Sequence, residues 1–137
     1  MIVQEFTLEI IKWNVRVYYH PSWEDNADII KYLVSTGCED EDLDDIASFL
    51  EDGFLNTGCT YTNFDLQCSV LIISKTTGAD QFNDTYDHEK GHLAMHICKY
   101  EGIDPFSEKY QYLTGEIGRK MFKAAKMFLC DHCRGKV

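Results

Sequence analysis

The chain has 137 residues, of which 45% are hydrophobic and 26% are charged, with 2 Pro and 9 Gly. This size and composition predict a single domain over residues 1–137 and exclude the disordered, collagenous and membrane-spanning classes, because no run of about 18 apolar residues is present. The net charge of −10 argues against binding to nucleic acid or to an anionic membrane.

Residues 1–53 predict a hairpin followed by two helices. Apolar and polar side chains alternate over residues 6–10 and again over 14–17, which predicts two strands joined tightly around Lys12 to Asn14. Asn26 can cap a short helix that runs to about Ser35. The next helix has apolar residues at i, i+3, i+4 and i+7 with acidic residues outside, and Gly53 ends it. Its apolar positions are Leu43, Ile46, Ala47 and Leu50.

Residues 59–129 predict two more strands and two longer helices. Cys59 to Asn63 and Gln67 to Lys75 are the strand candidates, and the apolar run in the second predicts cover on both faces. A polar turn around Gly78 precedes a third helix, about Thr85 to Glu101, and the last helix runs from about Asp104 to Leu129. The expected class is α+β, with a small, mostly antiparallel sheet and its N-terminal hairpin packed on a buried third helix and a long C-terminal helix.

The N-terminal residues and the cysteines together predict a cytoplasmic protein. Met1 to Phe6 carry no basic residue, and no apolar stretch with a cleavage site follows, so no secretory signal is visible. The six cysteines are then expected to be thiols. Cys130 and Cys133 form a CxxC pair, but no second pair is present to complete a four-ligand zinc site, so we interpret them as ordinary thiols.

Acidic charge is concentrated in the first part of the chain. Residues 1–87 have a net charge of −13, whereas residues 88–137 have a net charge of +3. Much of this difference comes from the acidic run between Glu39 and Asp45. We interpret that run as a solvated helix face, with a partner-docking patch as the alternative.

Residues 88–92 read His-Glu-Lys-Gly-His, an HExxH pattern inside the third predicted helix. Positions i and i+4 of a helix lie about 6 Å apart on one face, so His88 and His92 can converge on one zinc ion at about 2.0–2.1 Å each. Glu89 is turned about 100° from His88 and about 60° from His92, so it flanks the metal without being a ligand. The pattern predicts a zinc site with Glu89 as the general base acting on a metal-activated water.

The surroundings of the motif favour a metal site over a chance match. Gly91 to Cys98 contains no charged residue, which predicts a buried helix. A carboxylate and two imidazoles in a core need polar partners, and zinc supplies one; the alternative is a histidine pair satisfied by other protein groups. His96 lies about 12 Å from His88 along the helix axis, so it is expected to be a supporting or core residue rather than a ligand.

The third ligand must come from another element. A metzincin would have glycine at Met95 and histidine at Cys98, so that type is disfavoured. The last helix opens with two candidate carboxylates, Glu108 and Glu116. A steep crossing of the last two helices favours Glu108, whereas an antiparallel hairpin favours Glu116, and the helical angle alone does not separate them.

The HEKGH motif, a Gly-Ile-Asp-Pro turn at 102–105, and Glu108 followed by Tyr112-Leu113 and Gly115 together resemble small gluzincin-type zinc peptidases. Within that group the chain looks most like uncharacterised metallopeptidase-like proteins of phages and mobile elements of gut bacteria, and more distantly like prophage-associated metallopeptidases that cleave repressors. The likeness is specific over residues 84–119. It implies a minimal zincin-like fold with zinc on His88, His92 and Glu108.

The chain departs from the gluzincin pattern in two ways. The spacing from His92 to Glu108 is short for the broader group, and no residue is plainly the oxyanion-stabilising histidine or tyrosine of larger members. Tyr112 is a candidate for contact with a ligand, with a packed tyrosine as the alternative. Metal binding is therefore a more direct expectation than activity.

Together these features predict a cytoplasmic zinc-dependent peptidase whose partner is a peptide or protein substrate. An extended peptide is expected along the sheet edge beside the zinc helix, on the strand within Gln67 to Lys75. The rival is a non-catalytic, zinc-stabilised interaction protein of a phage or mobile element, which has no need of a base such as Glu89.

Overall fold

Four strands form one mixed sheet in the computed structural model, which describes residues 1–136. They are β1 (Ile2–Leu8), β2 (Trp13–Tyr19), β3 (Gly58–Asn63) and β4 (Cys68–Ile73), arranged in the order β1-β2-β4-β3. The expected N-terminal hairpin is confirmed as β1–β2. Its turn covers residues 9–12, earlier than expected, because residues 13 and 14 already pair with β1.

The central pairing of the sheet is parallel. β1–β2 and β3–β4 are antiparallel, whereas β2 pairs in parallel with β4, with Val17 opposite Leu71. A parallel pair needs a crossover connection, which here contains α1 (Asn26–Ser35), α2 (Asp40–Asp52) and β3. The α+β class is confirmed, but the sheet is mixed, and its two edges are β1 and β3.

Helices cover both faces of the sheet. α1 and α2 pack against one face, and α3 (Ala79–Glu101) and α4 (Glu108–Ala125) pack against the other; α5 (Asp131–Arg134) follows as a single turn. Alternate residues of β4 enter the two cores, with Val70 and Ile72 on the side of α1 and α2 and Leu71 and Ile73 on the side of α3 and α4. Cover on both faces of this strand is therefore confirmed.

Both long helices begin at residues other than those expected. α3 begins at Ala79, six residues before the expected start, and the Asp131 carboxylate accepts a hydrogen bond from the Ala79 N–H at 2.8 Å. α4 begins at Glu108 because the Ser107 hydroxyl caps it, accepting from the Tyr110 N–H at 3.2 Å. It ends at residue 125, before the expected end.

Helix α3 is amphipathic rather than wholly buried. Leu93 and Ile97 are fully buried in the main core, but Met95 on the opposite side is 62% exposed. The expectation of a buried helix was wrong for this side because the uncharged Met95 is exposed there, and His92 and His96 are only half-buried. No helix within residues 1–136 is long and apolar enough to cross a membrane.

Candidate metal-binding site

The HEKGH motif lies in the middle of α3, between β3 on one side and α4 on the other. The sides of the helix that carry Thr85, Glu89 and His96 face β3, since Glu89 bonds to Thr60 and His96 to Thr62. Gly91 and Ala94 instead line a small cleft with Thr114 and Ile117 of α4. His88 and His92 therefore project between the sheet edge and α4.

The two histidines are brought together as the spacing predicts. The Nε2 atoms of His88 and His92 are 3.1 Å apart. Two nitrogen ligands of a tetrahedral zinc ion, each about 2.0–2.1 Å from the metal, are about 3.3 Å apart. The pair therefore has the donor type and the separation that zinc requires of two ligands.

Glu89 is held at the sheet edge next to the histidine pair. Its side chain is only 2% exposed, and its Oε1 accepts a hydrogen bond from the Thr60 hydroxyl at 2.9 Å. Burial raises the pKa of the Glu89 carboxyl, although the Thr60 hydrogen bond and the two histidines oppose the rise. A buried carboxylate with a raised pKa and one fixed hydrogen bond has the features of a general base.

Gly58 makes room for this carboxylate. A Cβ atom built on Gly58 would lie 2.6 Å from both Cγ and Oε2 of Glu89, closer than real Cβ contacts. The roles of Gly58 and Thr60 were not expected from the sequence. The available signal was the alternation of β3, which places residues 58, 60 and 62 on one face, but nothing local shows that this face meets Glu89.

His96 supports the sheet rather than joining the pair. Its Nδ1 lies 2.8 Å from the Thr62 hydroxyl, which lies 2.7 Å from the Ser69 hydroxyl, and Ser69 in turn accepts from the Trp13 indole at 3.0 Å. Burial lowers the pKa of His96, aided by nearby His92 and Lys99. Its place in this chain of hydrogen bonds agrees with the expected supporting role.

Glu116 is committed to another task. It is 5% exposed, and its two carboxylate oxygens accept hydrogen bonds from the backbone N–H groups of Glu9 at 2.7 Å and Ile10 at 3.0 Å. Lys120 pairs with the same carboxylate at 3.3 Å. Glu116 therefore fastens α4 to the β1–β2 turn, away from the histidine pair.

Glu108 lies exposed in the first turn of α4. Within residues 1–136, no group of three or more His, Cys, Asp or Glu side chains is arranged to hold a metal ion. The structure thus brings His88 and His92 together but does not bring Glu108 to them. Tyr112 also lies elsewhere, 65% exposed above the β1–β2 turn beside Ile10.

The open sheet edge beside the motif is β3, not β4. The expectation that a peptide would pair with the strand within Gln67 to Lys75 is wrong, because β4 is paired with β2 on one side and β3 on the other. β3 is hydrogen-bonded on one side only and runs past Glu89. A cavity of about 320 Å³ lies at its N-terminal end, lined by Asn56, Thr57, Gly58, Asp84, Thr85, His88 and Glu89.

The six cysteines are all free thiols, as expected. Cys130 is the N-cap residue of α5 and Cys133 lies within its single turn, which contacts the N-terminal end of α3 through Asp131. No family model matches the chain, and no curated protein or solved structure matches it significantly.

Proposed function

We propose that this protein is a zinc-dependent peptidase in which His88 and His92 bind the metal and Glu89 is the general base. The observation that carries the proposal is the juxtaposition of two close imidazoles with a buried carboxylate at an open sheet edge. A histidine pair with a purely structural role needs no buried carboxylate beside it, and burying a carboxylate costs free energy. A buried carboxylate with a shifted pKa is typical of a functional site.

Zinc fits the donors that are present, and Glu108 is the proposed third ligand by resemblance to gluzincins. Reaching the histidine pair from the first turn of α4 requires that turn to move when metal binds. When bound, zinc would supply a Lewis acid that polarises the peptide carbonyl and lowers the pKa of water toward about 7.

Glu89 performs the proton transfers in this proposal. Its carboxylate takes a proton from the attacking water and then gives it to the nitrogen of the departing amine. The Thr60 hydroxyl orients the carboxylate through Oε1 at 2.9 Å, which leaves Oε2 directed toward the space beside Gly58. Proton transfer thus occurs at Oε2, next to the cavity at the start of β3.

The substrate in this proposal is an extended peptide that pairs with β3. Main-chain hydrogen bonds to an edge strand bind peptides with little demand on their sequence. The edge strand β3 contains both Gly58 and Thr60, the two residues in contact with Glu89. A peptide on this edge therefore places a backbone carbonyl within reach of the site.

A non-catalytic, zinc-stabilised interaction protein is the second candidate. One observation favours it: residues 1–136 bring together two histidine ligands but no third ligand. Its assignment to a phage or mobile element, like a cytoplasmic location, depends on the sequence features alone.

Metal analysis and peptide cleavage by wild type and Glu89→Gln test the proposal. We expect one zinc per chain in both proteins and cleavage by wild type only, with a loss of about two to four orders of magnitude in the variant. Glu101→Gln, on an exposed carboxylate of the same helix, is the matched control and should retain activity. Equal activity of Glu89→Gln would reject the general base, and zinc content without any cleavage would favour the interaction protein.

A further inference from the structure

The cavity beside Glu89 has a chemical character of its own. Its volume of about 320 Å³ is at the lower end of ligand sites and suits one long side chain. Its lining includes four polar or charged side chains from outside the HEKGH motif, but no lysine or arginine. These are Asn56, Thr57, Asp84 and Thr85.

Asp84 is the carboxylate that this lining adds to the HEKGH motif. The Asn56 side chain is already bonded to the Thr77 backbone N–H at 2.9 Å, and the Thr57 hydroxyl donates to the Phe54 carbonyl at 3.2 Å. The exposed Asp84 carboxylate makes no ion pair within residues 1–136, in contrast to Asp87, which pairs with Lys90 at 3.0 Å.

The position of Asp84 relates it to the proposed site. It lies four residues before His88, so both side chains project from the same side of α3, one turn apart. The cavity shares Gly58, His88 and Glu89 with the proposed site and extends from there past the N-terminal end of β3. A side chain in the cavity would therefore belong to a residue close to the reacting bond.

The direction of the peptide follows from the pairing of the edge. Antiparallel pairing is the more stable arrangement, and it runs a bound peptide from the Asn63 end of β3 toward the Gly58 end. Glu89 contacts β3 at residues 58 and 60. The part of the peptide beyond Gly58 is then on the C-terminal side of the bond above Glu89.

We propose that Asp84 selects a lysine or arginine immediately C-terminal to the cleaved bond. This inference depends on the proposed function, since it names the substrate class of the same site. The cationic side chain fills the cavity and pairs with the one carboxylate there that the base and the metal do not use. Because Asp84 is partly solvated, the expected preference is about five- to tenfold in kcat/KM.

Paired peptides that differ only at this position test the inference. One peptide has lysine and the other norleucine, which has no charge but nearly the same aliphatic chain. Wild type should cleave the lysine peptide about five- to tenfold faster, Asp84→Asn should cleave both equally, and Asp84→Lys should prefer a matched glutamate peptide. Asp80→Asn, one turn earlier on α3 and outside the cavity lining, should retain the wild-type preference.

Binding to metal-free wild type, measured by calorimetry, separates this inference from the proposed function. Tighter binding of the lysine peptide that Asp84→Asn abolishes would support the inference even if no peptide is cleaved. Cleavage without a cation preference would overturn the inference and leave the peptidase intact. Absence of both cleavage and preferential binding would overturn the inference. Loss of zinc in Asp84→Asn would also overturn it, because Asp84 would then act through His88.

Discussion

Gly58 and Glu89 form a pair in which the smaller residue permits the position of the larger. Gly58→Ala introduces a Cβ atom 2.6 Å from the Glu89 carboxylate, so we expect displacement of that carboxylate from Thr60. The expected results are loss of peptide hydrolysis and a fall of about 1–3 kcal/mol in the free energy of unfolding. Urea unfolding and a peptide-cleavage assay measure the two effects.

Gly115→Ala is the control for this substitution. Gly115 lies exposed in α4 with no atom within 4 Å of its Cβ position, so alanine should stabilise the helix by up to about 1 kcal/mol and leave hydrolysis unchanged. If Gly58→Ala were as stable and as active as wild type, the proposed role of Gly58 would be wrong.

The three central residues of the candidate site were predictable from the sequence, but the residues of β3 that contact Glu89 were not. His88, Glu89 and His92 are related by helical spacing, which is a local property. Gly58 and Thr60 meet Glu89 only because β3 packs beside α3, a contact between residues about thirty positions apart. Only the folded chain determines that register.

His20 is a half-buried histidine that should make the free energy of unfolding depend on pH. Its ring packs 4.2 Å from the Phe128 ring, and its Nε2 lies 3.1 Å from the Thr76 hydroxyl. Burial lowers the pKa of His20 to about 4, aided by the nearby charges of Arg134 and Lys75. Between pH 6.5 and pH 4 the unfolded chain therefore binds the proton that the folded chain excludes, so the free energy of unfolding should fall as the pH falls.

His20→Asn tests this dependence. His20 has a positive φ of 54°, and asparagine is one of the residues that tolerates this backbone conformation. Urea unfolding at pH 7 and pH 5 should show a smaller loss of stability in the variant than in wild type. An equal loss in both proteins would assign the dependence to other groups.

At the scale of elements, Glu116 fastens α4 to the N-terminal hairpin. Hydrogen bonds from the Glu9 and Ile10 N–H groups, with the Lys120 charge, lower the pKa of Glu116 although burial opposes this. Glu116→Ala leaves two backbone donors without their acceptor, so we expect a loss of about 1–3 kcal/mol in the free energy of unfolding. Zinc content should be unchanged.

Glu108→Ala is the complementary variant. Because Glu108 is exposed and makes no ion pair within residues 1–136, its removal should change the stability of the metal-free protein little. Because Glu108 is the proposed third ligand, its replacement by alanine should lower zinc affinity strongly. Weak zinc binding in Glu116→Ala with normal zinc binding in Glu108→Ala would show that Glu116, and not Glu108, is the third ligand.

The elements themselves were largely predictable, but the order of the strands was not. The apolar run in β4 correctly indicates that both faces are covered, yet an apolar run contains no information about which strands lie on either side. The parallel pairing of β2 with β4 depends on a crossover through two helices and β3. That pairing leaves β3, rather than β4, as the free edge beside α3.

At the scale of the molecule, the sheet separates the acidic surface of α2 from the candidate site on α3. The acidic run of α2 lies on an exposed face, with Asp44 and Asp45 both exposed, as expected for a solvated surface. α2 covers one face of the sheet, and α3 packs on the other. The acidic surface therefore does not line the candidate metal site, and the acidic residues that do line the cavity, Asp84 and Glu89, both come from α3.

Zinc should stabilise the whole molecule through α3. The ligand geometry exists only in the folded chain, so metal binding adds to the free energy of folding. At a free zinc concentration of about one hundred times the dissociation constant, the expected gain is about 2.7 kcal/mol. Chelation should remove this gain and lower the melting temperature of wild type but not of His92→Ala, whereas His132→Ala, on an exposed histidine of α5, should respond as wild type does. A melting temperature of wild type that does not change with zinc or chelator would reject the metal site, because a ligand that binds only the folded state must raise its stability.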